Sequence, residues 1–170
     1  MIKINISDRS SEALMMLYKT LVRPIIDYCI PAWRPYLQKD IDVLERIQKR
    51  FTKLVDGCKT KSYNQRLEKL GLTSLADRHN RMDMIEVFKI LKGINTAYPE
   101  NFLELSDRPG RKNSLKLYKK RFKYDLCMFS FTSRVVDKWN DLPEAVVQSA
   151  DVNTFKHGID KWMRDFRGQL

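Results

Sequence analysis

LYKTLVRPIIDYCIPAW, Leu17–Trp33, is the stretch from which the rest of the chain can be read. With Leu14 in front of it, Leu17, Leu21, Ile25 and Tyr28 recur every three or four residues. That spacing predicts one apolar stripe along a helix, and a helical partner to cover it. Ser10 or Ser11 offers a hydroxyl to the unpaired N–H groups of the first turn, and Glu12 sits near the positive end. Pro24 lacks a backbone donor and crowds the carbonyl four residues back. It predicts a kink, or one helix ending near Val22 and another starting at Pro24. Pro31 and Pro35 bracket Trp33 and predict an extended elbow, with the segment as a whole forming a buried helical hairpin.

Working outward, Leu37, Ile41, Leu44, Ile47, Phe51 and Leu54 form a second apolar face, and Gly57 is placed to end that helix in a left-handed cap. Ser62 with Gln65 makes a capping-box pattern for a short helix closed by Gly71, and Ser74 with Asp77 resembles another. A helix from Leu75 to Lys92 would bury Leu75, Met82, Ile85, Phe88 and Leu91 and stop at Gly93. Pro99 can begin a brief turn. Between Asp107 and Asp125 the helical pattern lapses, so Leu115, Leu117 and the run Tyr124 to Phe131 are candidates for short extended pieces. Val135, Val136 and Trp139 share a further helical face. The last helix runs from an Asn153 cap through Phe155, Ile159, Trp162 and Phe166. Helical spacing of their neighbours makes core residues of Trp139 and Trp162, and Trp33 is read the same way. The fold class expected is mainly α, a multi-helix single domain with at most one small β-hairpin. At 170 residues and 43% hydrophobic, the chain can bury one sizeable core.

Much chemistry is excluded by spacing. Cys29, Cys58 and Cys127 are far apart, with no Cys-x-x-Cys and no histidine at zinc-ligand distance, and are expected to be reduced and mostly buried. His79 and His157 stand alone, without a neighbouring nucleophile or carboxylate in a catalytic pattern. There is no Gly-rich phosphate loop. Asp40 and Asp42 are two residues apart on a helix, which turns their side chains about 200 degrees from one another. They cannot share a pair of metal ions about 4 Å apart. No cofactor, metal or catalytic residue is therefore expected. No apolar run is long enough to span a membrane, and MIKINIS is too short for a signal peptide, so an intracellular protein is expected, in nucleus or cytoplasm.

Charge is the strongest clue. Of the net +11, the window from Arg108 to Lys123 holds +8 and no acid: Arg108, Arg111, Lys112, Lys116, Lys119, Lys120, Arg121 and Lys123. The remaining 154 residues carry only +3. Such a single-sign cluster gains from a polyanion, because phosphate contacts release condensed counterions. Tyr118, Phe122 and Tyr124 are interleaved and suit sugars or unstacked bases; the alternative is a solvated basic loop kept for solubility. The tract lacks the broad apolar face that membrane binding requires. A second, smaller candidate is the stripe Arg46, Lys49, Arg50 and Lys53 at i, i+3, i+4 and i+7. It could follow a duplex backbone, unless Asp42 pairs with Arg46 and Glu45 with Lys49.

One resemblance is carried by an ordered series of blocks. LYKTLVRPIIDYC, then PAWRPYL, then DIDVLERIQKRFTKL are followed by YNQRLEKLGLTSL (Tyr63 to Leu75), FKILKGI (Phe88 to Ile94) and FTSRVVDKWNDLP (Phe131 to Pro143). The series resembles the region after the catalytic palm in reverse transcriptases of non-LTR retrotransposons, of the jockey and chicken-repeat kinds, and covers nearly the whole chain. The resemblance implies a thumb-like helical region over residues 1–105. A basic linker or small hairpin would follow at 106–130, and a C-terminal helical region packed on the same core at 131–170. Such polymerases use palm aspartates, including an aromatic-x-Asp-Asp turn, and this chain has no Asp-Asp pair. The expected function is a non-catalytic reverse-transcriptase piece gripping RNA or an RNA/DNA hybrid irrespective of sequence. Its other expected partners are a palm or a second copy of itself. The alternatives are a basic interaction scaffold and a functionless element remnant.

Overall fold

The structure is a computed structural model, and it describes residues 10–98, 102–108 and 112–167. Pro99, Arg111 and the Phe166 side chain, all named above, lie outside the described residues. Among those described the chain is mainly helical, as its periodicity predicts. The only strand-like pairing there is an isolated antiparallel bridge between Leu105 and Leu117.

The opening segment forms α1 (Ser11–Leu17), a wide π-helical turn (Tyr18–Val22), α2 (Arg23–Asp27) and α3 (Ile30–Trp33). Ser10 caps α1, its hydroxyl accepting from Ala13 N–H at 3.2 Å. Pro24 supplies no N–H, and the chain answers with i→i+5 bonding, Arg23 N–H donating to the Tyr18 carbonyl. The buried residues of the segment are Leu14, Tyr18, Ile26 and Ile30. This corrects the predicted stripe: Leu21, Ile25 and Tyr28 are exposed, the last two by 76% and 77%. The elbow is also corrected. Pro31 starts the helical turn α3, a position where its missing N–H costs nothing. Trp33 is 42% exposed and donates its indole N–H to the Tyr28 carbonyl. Cys29, between α2 and α3, takes a left-handed φ of 53°.

The packing divides into two compact units at His79/Asn80. In the first, α4 (Gln38–Thr52) and α5 (Tyr63–Lys69) join the opening helices. Tyr18 stacks on Phe51 at 4.3 Å, with Val55, Cys58, Leu67 and Leu72 around them. The Ser62–Gln65 capping box forms as predicted, and Gly71 takes a left-handed φ of 59° just past α5. The buried face of α4 is unexpectedly polar: Glu45, Gln48 and Thr52 are inside with Phe51, while Ile47 faces out. Gln48 accepts from Tyr18 Oη at 2.6 Å and donates to Tyr63 Oη and the Thr73 carbonyl at 2.9 Å each. Burial pushes the Tyr18 hydroxyl up to about 12, and burial with the Glu45 contact raises Tyr63, so both hydroxyls stay protonated.

Asp27 links α2 to the start of α6 (Leu75–Leu91): Arg78 Nε lies 2.6 Å from one carboxylate oxygen, and buried His79 Nε2 lies 3.5 Å from the other. Burial alone would raise this carboxyl. The close approach of His79 and the hydrogen bond and charge of Arg78 outweigh it and hold the group below its ordinary value. A depressed carboxyl contributes stability above its unfolded pKa, about 3.9, that is lost as pH falls through the folded value. Asp27→Asn should therefore be less stable at neutral pH and lose less stability on acidification below pH 4. Urea melts at several pH values check this; parallel curves for the two proteins would contradict it.

The second unit comprises most of α6 with α7 (Asp125–Met128), α8 (Phe131–Arg134), α9 (Val136–Asn140), α10 (Glu144–Val147) and α11 (Val152–Arg167). Trp139, Phe155, Phe88 and Ile159 form its centre, with Phe88 and Phe155 stacked at 4.3 Å. Two local expectations are corrected. Within the run Tyr124 to Phe131, Tyr124 is extended but Asp125–Met128 form α7, its turn closed by Phe129 N–H on the Asp125 carbonyl. The cap of α11 is Asp151, whose carboxylate accepts from the N–H groups of Asn153 and Thr154 at 2.7 and 3.0 Å. The Thr154 hydroxyl, donating to the same carboxylate at 2.7 Å, and those two bonds lower its pKa. Cys58 is buried, but Cys29 and Cys127 are exposed, which corrects the expectation of mostly buried thiols.

Candidate nucleic-acid interface

The smaller of the two basic candidates is the cleaner one in three dimensions. Arg46, Lys49, Arg50 and Lys53 are all exposed along α4 and its C-cap. Lys49 and Arg50 fall in the last turn, where the helix dipole favours cations. The pairings that would have neutralised the stripe do not form. Glu45 points inward, accepting from Leu75 N–H at 3.0 Å and from Tyr63 Oη. Asp42 offers Arg46 only its carbonyl, at 3.3 Å, while its carboxylate takes a bond from Gln38. Lys49 Nζ instead lies 5.3 Å from the Tyr63 ring centre. Among the described residues, no carboxylate comes within 4.0 Å of these four cations. Seven residues of helix rise about 10 Å, the span of about three phosphates at 3.4 Å per nucleotide along one strand.

The larger tract is different. Its sequence contains no acid, but the fold brings acids to it. Lys112 pairs with Asp141 at 2.6 Å, Lys119 with Asp137 at 2.6 Å and Lys120 with Glu104 at 2.5 Å. The picture of an uncompensated cluster is thereby corrected: helix α9, its following turn and the Leu105 bridge carry carboxylates that sequence distance concealed. All three pairs are exposed, so each is weak and open to exchange with a phosphate. Arg108, Arg121 and Lys123 are exposed and Lys116 half-buried, none with a carboxylate within 4.0 Å among the described residues. Lys123 Nζ lies 6.0 Å from the Tyr124 ring centre.

Side chains outside the charge pattern hold the tract in place. Asn140 and Leu117 exchange two bonds, the Leu117 N–H donating to Asn140 Oδ1 at 2.8 Å and Asn140 Nδ2 to the Leu117 carbonyl at 3.0 Å. Buried Asn113 donates to the carbonyls of Trp139 and Leu142, and Trp139 Nε1 donates to the Leu115 carbonyl at 2.7 Å. Glu144 accepts from Ser114 N–H and Oγ at 2.6 and 2.7 Å, bonds that lower its pKa. Asparagine satisfies a peptide's donor and acceptor together, which lets a chain without a sheet neighbour run extended across a buried surface. Spacing gives no signal for these contacts, which bridge 23 to 30 residues.

Among the described residues, no group of three or more His, Cys, Asp or Glu is placed to hold a metal ion, and no helix is long and apolar enough to cross a membrane. No protein-family model matches the chain, and it matches no curated protein and no solved structure.

Proposed function

We propose that this chain is a nucleic-acid-holding module, the thumb and C-terminal region of a non-LTR retrotransposon reverse transcriptase. It would grip the backbone of an RNA/DNA hybrid for a polymerase centre that its own residues do not supply. The observation that carries the reading is the α4 stripe, four exposed cations on one helical face with their potential intrahelical acids turned elsewhere. Such a face meets phosphates without reading bases, so binding should be salt-sensitive and sequence-tolerant.

The test is a salt titration of the full chain on an RNA/DNA hybrid. With about three phosphates engaged, the log-log slope should lie near −3. Lys49→Glu with Arg50→Glu should weaken binding on the order of a hundredfold at low salt and flatten the slope by about 2. Lys119→Glu, Lys120→Glu and Arg121→Glu together should cost less hybrid affinity, because these cations do not line one helical face along a continuous backbone as those of α4 do. Unchanged hybrid affinity in the α4 double variant would end the proposal.

A second reading, association with a palm or with another copy, is favoured by the exposure of Met16, Leu21, Ile25 and Tyr28 along the opening helices. Apolar residues so grouped on a surface promote association. A parent chain that binds no hybrid but forms dimers in the same sedimentation runs would select it.

A further inference from the structure

We infer that the segment Lys116–Tyr124 takes single-stranded nucleic acid, seating an unstacked base in a cleft of the second unit; this rests on the nucleic-acid reading above and specifies the form of ligand. The cleft has a volume of about 170 Å³ and is lined by Phe102, Tyr118, Lys120, Phe122, Thr132 and Val136. Tyr118, Lys120 and Phe122 alternate along the chain and share this cleft, whereas Lys119 turns away to Asp137. That is the two-residue alternation of extended backbone. Past the Tyr118 N–H, which bonds to the Glu104 carbonyl at 2.8 Å, no backbone N–H through Lys123 donates to a carbonyl among the described residues. The rings are thus presented by a segment running from the Leu105–Leu117 bridge to the start of α7, with Leu117 and Val136 buried beside it.

Three properties select a single strand. Tyr118, Phe122 and Tyr124 are 55%, 37% and 69% exposed, a large aromatic surface to leave in water beside cations. Their π faces can receive only bases that are not already stacked in a duplex. Arg121 and Lys123 alternate with these rings and have no carboxylate partner among the described residues, so charges for the phosphates accompany the platforms for the bases. Lys120 can exchange its exposed Glu104 contact for a phosphate at little cost. The α4 stripe, by contrast, has cations on a helix and suits a continuous backbone.

The experiment uses the full chain with single-stranded oligonucleotides containing 2-aminopurine, one RNA arm and one DNA arm, and a matched RNA/DNA hybrid. Tyr118→Leu with Phe122→Leu keeps apolar bulk and removes the π faces. It should lower single-strand affinity about tenfold or more. It should also abolish the 2-aminopurine emission change, leave the salt slope unaltered and leave hybrid affinity within about twofold. Phe122→Tyr should retain binding and emission change. Both variants are checked by circular dichroism. If the leucine variant fails to fold, quenching of the parent's 2-aminopurine at salt-independent amplitude is the deciding measurement, and its absence overturns the inference. Unchanged single-strand affinity in a folded leucine variant also overturns it, leaving the hybrid-binding proposal intact. Failure of the parent to bind any of the three ligands removes both.

Discussion

Replacing Glu45 by alanine should destabilise the first unit by about 3 kcal/mol. Glu45 is 8% exposed, and its carboxylate receives the Leu75 N–H at the start of α6, 30 residues away, and the Tyr63 hydroxyl. Hydrogen bonds to a charged acceptor contribute about 1.5–3 kcal/mol each, and an anion at a helix N-terminus adds up to about 2. Against these stands the cost of drying the carboxylate, so the net lies below the sum. Alanine leaves an N–H and a hydroxyl buried without their acceptor and also opens a cavity. Glu45→Gln keeps the shape and one acceptor oxygen and should lose about half as much. The measurement is urea denaturation followed by circular dichroism, with exposed Glu12→Ala as the comparison. Indistinguishable midpoints for Glu45→Ala and Glu12→Ala would show that the carboxylate contributes nothing.

The largest loss is expected in the second unit from Trp139→Ala, about 4–5 kcal/mol. Trp139 has no exposed surface, packs 5.9 Å from the Phe155 ring centre, and holds the Leu115 carbonyl through its indole N–H. Truncating a buried tryptophan costs about 3–5 kcal/mol through lost transfer energy and cavity, and the orphaned carbonyl adds about 1. Because whole domains are stable by only about 5–15 kcal/mol, the second unit should unfold in mild denaturant. Trp139→Phe keeps a ring and should recover roughly half. The variant also loosens the tract from α9, so amide exchange at Leu117 should accelerate more than exchange at Leu67 in the first unit. Equal acceleration at both amides would contradict the separate roles assigned to the two cores.

Local signals were legible wherever the deciding contact lies within a few residues. Ser62 with Gln65 closes its box across three residues, and Gly71 and Gly93 take positive φ where a helix must end. Pro24 announces a disturbance, but its form was not legible. A kink and a π-helical turn satisfy the same missing donor, and they send different residues inward. The interior holds Tyr18, Ile26 and Ile30, while Leu21, Ile25 and Tyr28 are exposed. For α4, periodicity favours Ile47 over Glu45 as a buried residue because apolar transfer is its only criterion. The carboxylate is inside because α6 begins beside it.

The same division holds for the basic candidates. The order of residues alone establishes that the chain is mainly helical, basic and most concentrated in charge at Arg108–Lys123, since periodicity, caps and charge runs are properties of neighbours along the chain. Tertiary structure decides how much of that charge is available. It supplies Asp137, Asp141 and Glu104 from 16 to 29 residues away, and withdraws Glu45 from Lys49. Electrostatic compensation acts through distance in space, and only folding determines which carboxylates lie within a few ångströms of which cations.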